Sequence, residues 1–207
     1  MLISKKLNLI FVHIYKNAGT SITRALLPLT VNRGMWLTYR LSRRIGVKLN
    51  SDPMPFSVHI KANEIIDLIG CDEYEKYFSF AIVRNPWDWQ VSLYNYMLKN
   101  VSHPQYVLVK KMGTFDNYIK WRCKEEIRLQ KDFVYSEDGR LLVNYVGRYE
   151  NLETDFAYVC SHTGVSVSLP RLNVSNNRPY RQFYTDETVE LVRNAFSSDI
   201  STFGYDF

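Results

Sequence analysis

Residues 7–29 read LNLIFVHIYKNAGTSITRALLPL, and the fold turns on how this stretch divides. Residues 7–14 form a near-continuous apolar run of strand length, rich in β-branched and aromatic side chains and without clean alternation. That is the pattern of a parallel strand buried on both faces. YKNAGTS (15–21) is a short turn with one glycine, and after it Ile22, Ala25, Leu26 and Leu29 recur at helical spacing. The stretch is therefore strand, tight loop, helix. Residues 78–83 (FSFAIV) repeat the strand pattern, Arg84-Asn85 end it, and Pro86 suits the first turn of a helix over 87–99.

Outward from these two units, residues 62–69 read as a short amphipathic helix beginning just after His59. Residues 115–123 and 124–129 read as helical, 137–140 (EDGR) as a turn, and 142–149 (LVNYVGRY) as a third strand. Asn151 stands where a cap would precede a helix over 152–162. Residues 161–181 carry Pro170, Pro179 and three asparagines with little periodicity, which predicts a long loop before a closing helix over 185–196. Strands alternating with helices predict an α/β fold with a central, mainly parallel sheet flanked by helices.

A chain of 207 residues, set against about 150 per domain, is expected to be one domain spanning 1–207. With 46% apolar and 23% charged residues it is neither disordered, collagen-like nor coiled coil. No apolar run approaches the ~18 residues of a spanning helix, and the first residues lack the pattern of a secretory signal. Cys71, Cys123 and Cys160 are widely spaced and never C-x-x-C, so they define neither a disulfide framework nor a zinc site. A cytoplasmic location is expected. The net charge of +5 is unevenly spread, because nine basic residues precede the first acidic one, Asp52. The basic end is suited to an anionic partner.

The chemistry that fits this charge gathers at the two loops. Lys16-Asn17-Ala18-Gly19-Thr20-Ser21 lies between a buried strand and a helix, where backbone N–H groups and the helix dipole favour an anion. Gly19 lets the backbone approach, Thr20 and Ser21 add hydroxyls, and Lys16 adds a charge. The lysine precedes the glycine, unlike the G-x-x-x-x-G-K-[ST] of nucleoside triphosphatases. An ordinary strand-to-helix turn is the plain alternative. Arg84 at the end of the second strand, with Ser92 one to two turns later, is placed to bind a second phosphate. The plain alternative there is an Arg84–Asp88 pair that holds the turn.

FVHIYKNAGTSI (11–22), HIKANEI (59–65), FAIVRNPWDWQVSLYNYM (80–97) and DISTFGYDF (199–207) together resemble the sulfotransferases that use 3′-phosphoadenosine-5′-phosphosulfate (PAPS), most nearly the branch acting on carbohydrates. The resemblance implies a P-loop-like sulfotransferase fold and runs over almost the whole chain except residues 99–141. It implies that Lys16, Asn17, Ala18, Gly19, Thr20 and Ser21 cradle the 5′-phosphosulfate and that Arg84 and Ser92 meet the 3′-phosphate. A late loop over 173–181 matches the one that covers the adenosine, with Arg178 and Arg181 as candidates. Asn17 stands where a small or hydroxyl residue is usual, and Gln90 and Trp89 replace a basic residue beside the motif, so neither of those two is given a catalytic role.

Sulfuryl transfer to an alcohol needs a base for the hydroxyl proton and cationic support for the departing phosphate. Lys16 supplies the second. His59, matching the histidine of the family's H-x-x-A motif, is the expected general base, with a surface or helix-capping histidine as the plain alternative. His13 is expected to be packed inside the first strand, and His103 and His162 to sit in exposed loops. No metal is required, and no metal-ligand motif is present. Glu150 and Asp155 are expected to organise a helix start. Trp87, Trp89, Tyr94, Tyr96 and Tyr118 are expected mostly in the core, with one or two as acceptor contacts. The basic stretch 33–48 and the segment 110–131 are solvated faces or select an anionic glycan.

The expected activity is transfer of the sulfuryl group from PAPS to a hydroxyl of a carbohydrate or related acceptor, with 3′,5′-adenosine bisphosphate (PAP) as product. A nucleotide-dependent phosphotransferase shares the strand-loop-helix physics but lacks the usual lysine and a magnesium-holding carboxylate. A basic nucleic-acid-associated protein lacks a reader motif, so no nucleic-acid partner is expected.

Overall fold

A computed structural model describes residues 1–30, 59–170 and 178–207. The basic stretch 33–48 and residues 173–177 of the late loop lie outside the described residues. The strands are β1 (Leu2–Ser4), β2 (Leu9–Val12), β3 (Phe78–Val83) and β4 (Tyr145–Arg148). The helices are α1 (Gly19–Thr30), α2 (Ala62–Ile69), α3 (Cys71–Tyr74), α4 (Pro86–Lys99), α5 (Tyr106–Met112), α6 (Phe115–Glu125), α7 (Leu152–Thr163), α8 (Asp186–Ala195) and α9 (Ser197–Phe203). Two compact units divide the chain: Met1–Val83 with Asp132–Asn173, and Arg84–Lys131 with Val174–Phe207.

The first unit holds the sheet, in the order β1-β2-β3-β4. β2 runs parallel to β3, with Leu9 opposite Phe78 and Val12 opposite Ala81, and β3 runs parallel to β4, with Phe80 opposite Tyr145. Leu9 and Phe11 of β2 and Phe80 and Ile82 of β3 share one face by the two-residue period. They pack with Ile22, Ala25 and Leu26 of α1 and with Phe156, Val159 and Cys160 of α7. Ile10, Val12, Ala81 and Val83 on the other face are buried as well. Burial on both sides is why these strands do not alternate in sequence. Each fully buried Leu, Ile or Phe here contributes about 1.5–3 kcal/mol of transfer free energy.

The α/β fold with a mostly parallel sheet and flanking helices therefore stands. β1 is an addition, an antiparallel edge strand three residues long. The turn that joins it to β2 is closed by Ser4 Oγ, which accepts the Leu7 N–H at 3.2 Å, and by a positive φ of 45° at Asn8. β4 is shorter than the 142–149 run, though Asn144 N–H already donates to Ser79 O at 2.9 Å beside it. Gly147 lets α7 lie close, since a Cβ there would meet Ile82 Cδ1 at 2.7 Å and Asp155 Cβ at 2.9 Å. Asp155 accepts the Tyr145 hydroxyl at 2.9 Å and also the Arg148 N–H, the organising role expected of it. Asn151 precedes α7 as expected, but its side chain makes no capping hydrogen bond.

The second unit is helical. Asn85 caps α4, its Oδ1 accepting the Trp87 N–H at 3.1 Å, while Pro86 takes the first helical position. Trp87 Nε1 donates to Val189 O at 3.1 Å and Tyr184 Oη to Trp87 O at 2.8 Å, which ties α4 to α8 and to the segment before it. Thr114 and Thr185 cap α6 and α8 through side-chain oxygens. The helical reading of 124–129 is corrected, because α6 ends at Glu125 and the chain leaves helical geometry at Glu126, with φ −139°. Local propensity yields there to two long-range hydrogen bonds onto Asp199, taken by the N–H groups of Gln130 and Lys131. α5 and α9 are short helices with no strong signal in sequence.

Candidate active site

In the first unit the loop after β2 has an unusual backbone. Lys16 and Ala18 both take positive φ, 66° and 60°, on either side of Asn17. Alternation of this kind turns successive N–H groups toward one concavity, the geometry of an anion nest. Left-handed conformation costs a non-glycine residue about 1–2 kcal/mol, so the surrounding contacts must impose it. One of these is Asn17, which is 1% exposed and donates from Nδ2 to Ile82 O at 2.9 Å. Asn17 thus points inward to the end of β3 and anchors the loop. The loop runs directly into α1, whose first residues are Gly19, Thr20 and Ser21. Of these, Thr20 is exposed and Ser21 buried.

Gly19 carries no Cβ for a visible reason. A Cβ there would overlap the imidazole of His13, at Nε2, Cδ2 and Cε1. His13 is 8% exposed, stacks on Phe11 with ring centroids 5.4 Å apart, and meets the edge of His59 at 4.6 Å. It is packed as expected, though it lies one residue past the end of β2 rather than inside the strand, and it also forms the floor on which the loop lies.

His59 is solvent-exposed, two residues before the Lys61 that precedes α2. It does not cap that helix; Glu64 Oε2 instead accepts the Lys61 N–H at 2.7 Å. Its Nδ1 lies 3.0 Å from His13 O. A carbonyl only accepts, so in the neutral ring Nδ1 bears the hydrogen and Nε2 the lone pair. Burial of part of the ring lowers its pKa below the usual 6.5, and the bond to His13 O partly offsets this. At neutral pH the ring is a base with a fixed tautomer.

In the second unit Arg84 is the residue directly after β3. Its Nε donates to Asp88 Oδ2 at 2.7 Å, with both side chains mostly buried. The turn-holding pair is therefore formed. Ser92 follows Asp88 by four residues on α4, on the same face. Arg181 is exposed, its guanidinium over the rings of Tyr180 at 5.7 Å and Phe207 at 5.3 Å. Arg178 is exposed too.

The Sulfotransferase family matches the chain over residues 1–206. The chain belongs to the sulfotransferase family. No curated protein matches it. As a sulfotransferase it is a transferase of sulfuryl groups to a hydroxyl-bearing acceptor, and members of this family generally take PAPS as donor.

Within the first unit of this sulfotransferase, the structure brings both the 16–21 loop and His59 against His13. The loop lies over the His13 ring, and His59 bonds the His13 carbonyl. The pivotal role of His13 was not legible, since burial in a strand is all its sequence position conveys. Of the five aromatic residues weighed as acceptor contacts, Trp87, Trp89, Tyr94 and Tyr118 are buried, and Tyr96 alone is exposed. Gln90 is fully buried, its Oε1 accepting from Arg122 Nε at 3.2 Å. Among the described residues no cluster of ligand side chains suits a metal, and no helix is long and apolar enough to cross a membrane.

His13 also links the sulfotransferase fold to pH. Burial pushes its pKa down to about 2, with a smaller contribution from His59. The unfolded chain binds a proton there near 6.5 and the folded chain does not. Stability is therefore full above that value and falls as the pH drops, by about 1.4 kcal/mol per unit. Urea unfolding at pH 6.5 and pH 5 is expected to show a loss about 2 kcal/mol smaller in His13→Leu than in the parent. Parallel pH dependences would mean that the ring accepts a proton in place.

Proposed function

We propose that the chain transfers the sulfuryl group of PAPS to a hydroxyl of a carbohydrate or related acceptor, releasing PAP. The observation that carries the donor half of this reading is the nest at residues 16–18 leading into α1, in a chain of the sulfotransferase family. Its donor set suits an anionic phosphosulfate: backbone N–H groups, the Thr20 and Ser21 hydroxyls, and the Lys16 ammonium. Asn17 takes no side-chain part in this cradle, since its amide is committed to Ile82 O.

Bound there, the donor supplies an activated sulfuryl group and a phosphate as leaving group. His59 Nε2 takes the acceptor's hydroxyl proton while His13 O holds the Nδ1 hydrogen, so the ring becomes imidazolium only as the transfer proceeds. Lys16 and the loop N–H groups stabilise the negative charge that grows on the leaving oxygen. Arg84 and Ser92 are the positions proposed for the 3′-phosphate, with Asp88 orienting the guanidinium, and Arg178 and Arg181 for the adenosine side. The carbohydrate acceptor is supported by the likeness of the motifs to that branch. A single functional domain over 1–207 and a cytoplasmic location belong to the same proposal. Family membership lends the phosphotransferase alternative no support.

Transfer of sulfur-35 from labelled PAPS to a panel of uronate-bearing oligosaccharides, neutral oligosaccharides and simple alcohols tests the reading. Label is expected on a glycan hydroxyl, and on the order of 10²-fold less of it with Lys16→Ala. Label on the simple alcohols alone would overturn the acceptor class, and undiminished transfer by Lys16→Ala would remove the loop from the chemistry.

A further inference from the structure

In the second unit, Gln130 is fully buried and pairs with the backbone of Arg84 in both directions. Its Oε1 accepts the Arg84 N–H at 2.9 Å and its Nε2 donates to Arg84 O at 2.8 Å. A side-chain amide carries both the acceptor and the donor that the N–H and C=O of a single residue call for. Gln130 is itself fixed from behind. Asp199, fully buried in α9, accepts the Gln130 N–H at 2.8 Å through Oδ2 and the Lys131 N–H at 2.9 Å through Oδ1. The Arg84 side chain is meanwhile held at Nε by Asp88. Both ends of Arg84 are thus clamped, the backbone by a glutamine 46 residues away and the guanidinium by Asp88 of α4.

Structural need alone does not call for this much. Arg84 is the residue where the chain passes from strand to helix, and Asn85 and Pro86 already end the strand and start α4. An arginine side chain carries about 2 kcal/mol of rotamer entropy, so an arginine required for bidentate phosphate binding gains from being positioned before the ligand arrives. We infer that Gln130 is a positioning residue for 3′-phosphate recognition: by pairing with both backbone groups of Arg84 it holds the guanidinium where a phosphate monoester on the ligand's ribose will meet it. Asp199 supports it by fixing the backbone of 130–131. The inference rests on the reading of Arg84 as a 3′-phosphate ligand, and its test separates the two.

Calorimetric affinities for PAP and 5′-AMP give, as their ratio, the contribution of the 3′-phosphate. Gln130→Met keeps the length of the side chain and removes both hydrogen bonds. Its PAP affinity is expected to fall on the order of 10-fold, about what weakening one hydrogen bond to a charged group costs, with 5′-AMP affinity unchanged. In the Arg84→Ala background the same change is expected to add nothing. Gln130→Asn keeps the amide but is one methylene shorter and cannot reach both Arg84 groups, and an intermediate fall in the ratio is expected; it serves in place of Gln130→Met if that variant does not fold. Equal loss for both ligands, or an unchanged ratio in the Gln130 variants while Arg84→Ala abolishes it, overturns the inference and leaves Arg84 in place. An unchanged ratio in Arg84→Ala itself overturns the reading of Arg84 and the inference with it.

Discussion

Replacing His59 with glutamine is expected to lower kcat by about 10²–10⁴, the range that a positioned general base contributes, while PAP affinity stays within a few-fold of the parent. Glutamine keeps an N–H for His13 O but has no group that titrates near neutrality. The pH profile supplies an independent reading. With the His59 pKa held below 6.5, kcat/KM is expected to rise through that depressed value as pH increases and to be level at neutrality. The acid limb should vanish in His59→Gln. Retention of parental kcat by the variant, or an acid limb centred above 6.5, would show that another group takes the proton.

The second large effect is expected at Gly19. A methyl group there enters the space of the His13 imidazole, which is boxed in by Phe11 on one face and His59 at its edge. Overpacking of a closed site costs about 1–3 kcal/mol, and the loop is the softer of the two parties. Gly19→Ala is therefore expected to lower stability by that amount and to weaken PAP binding as the 16–18 backbone shifts. A double-mutant cycle locates the cause: in a His13→Ala background the substitution should cost far less, with a coupling energy of at least about 1 kcal/mol. Additive effects would mean that the two residues do not meet.

What could be read from the sequence and what could not follow from the range of the forces involved. The runs at 7–14 and 78–83 announced parallel strands because burial on both faces writes itself as continuous apolar sequence, and Pro86 announced the start of α4 because its missing N–H is harmless only there. α2 emerged with the expected bounds, Ala62–Ile69, from its amphipathic spacing. β1 escaped because three residues carry no period. Helix α6 stopped short of 129 because Asp199, nearly seventy residues away, captures the backbone at 130–131. No local pattern encodes such a bond.

The candidate site was legible to the same degree. Residues 16–21 and His59 stood out by their place beside strand and helix ends and by resemblance to the family. The Arg84–Asp88 pair was visible from i,i+4 spacing, and the structure forms it. Asn17, by contrast, looked like a departure at a ligand-facing position and is an inward anchor. His13 looked like one more strand residue and is the element that joins the loop to His59. Gln130 lies in the stretch without recognisable motifs, and only the fold brings it to Arg84.

The central claim, that the 16–21 loop of this sulfotransferase holds an adenine nucleotide bearing a 3′-phosphate, is tested most directly by calorimetric titration with PAP, 5′-AMP and ATP with magnesium. The expected result is saturable PAP binding that weakens on removing the 3′-phosphate and in Lys16→Ala, with ATP bound less tightly than PAP. Binding of ATP as tight as that of PAP, or PAP binding indifferent to Lys16, would contradict it.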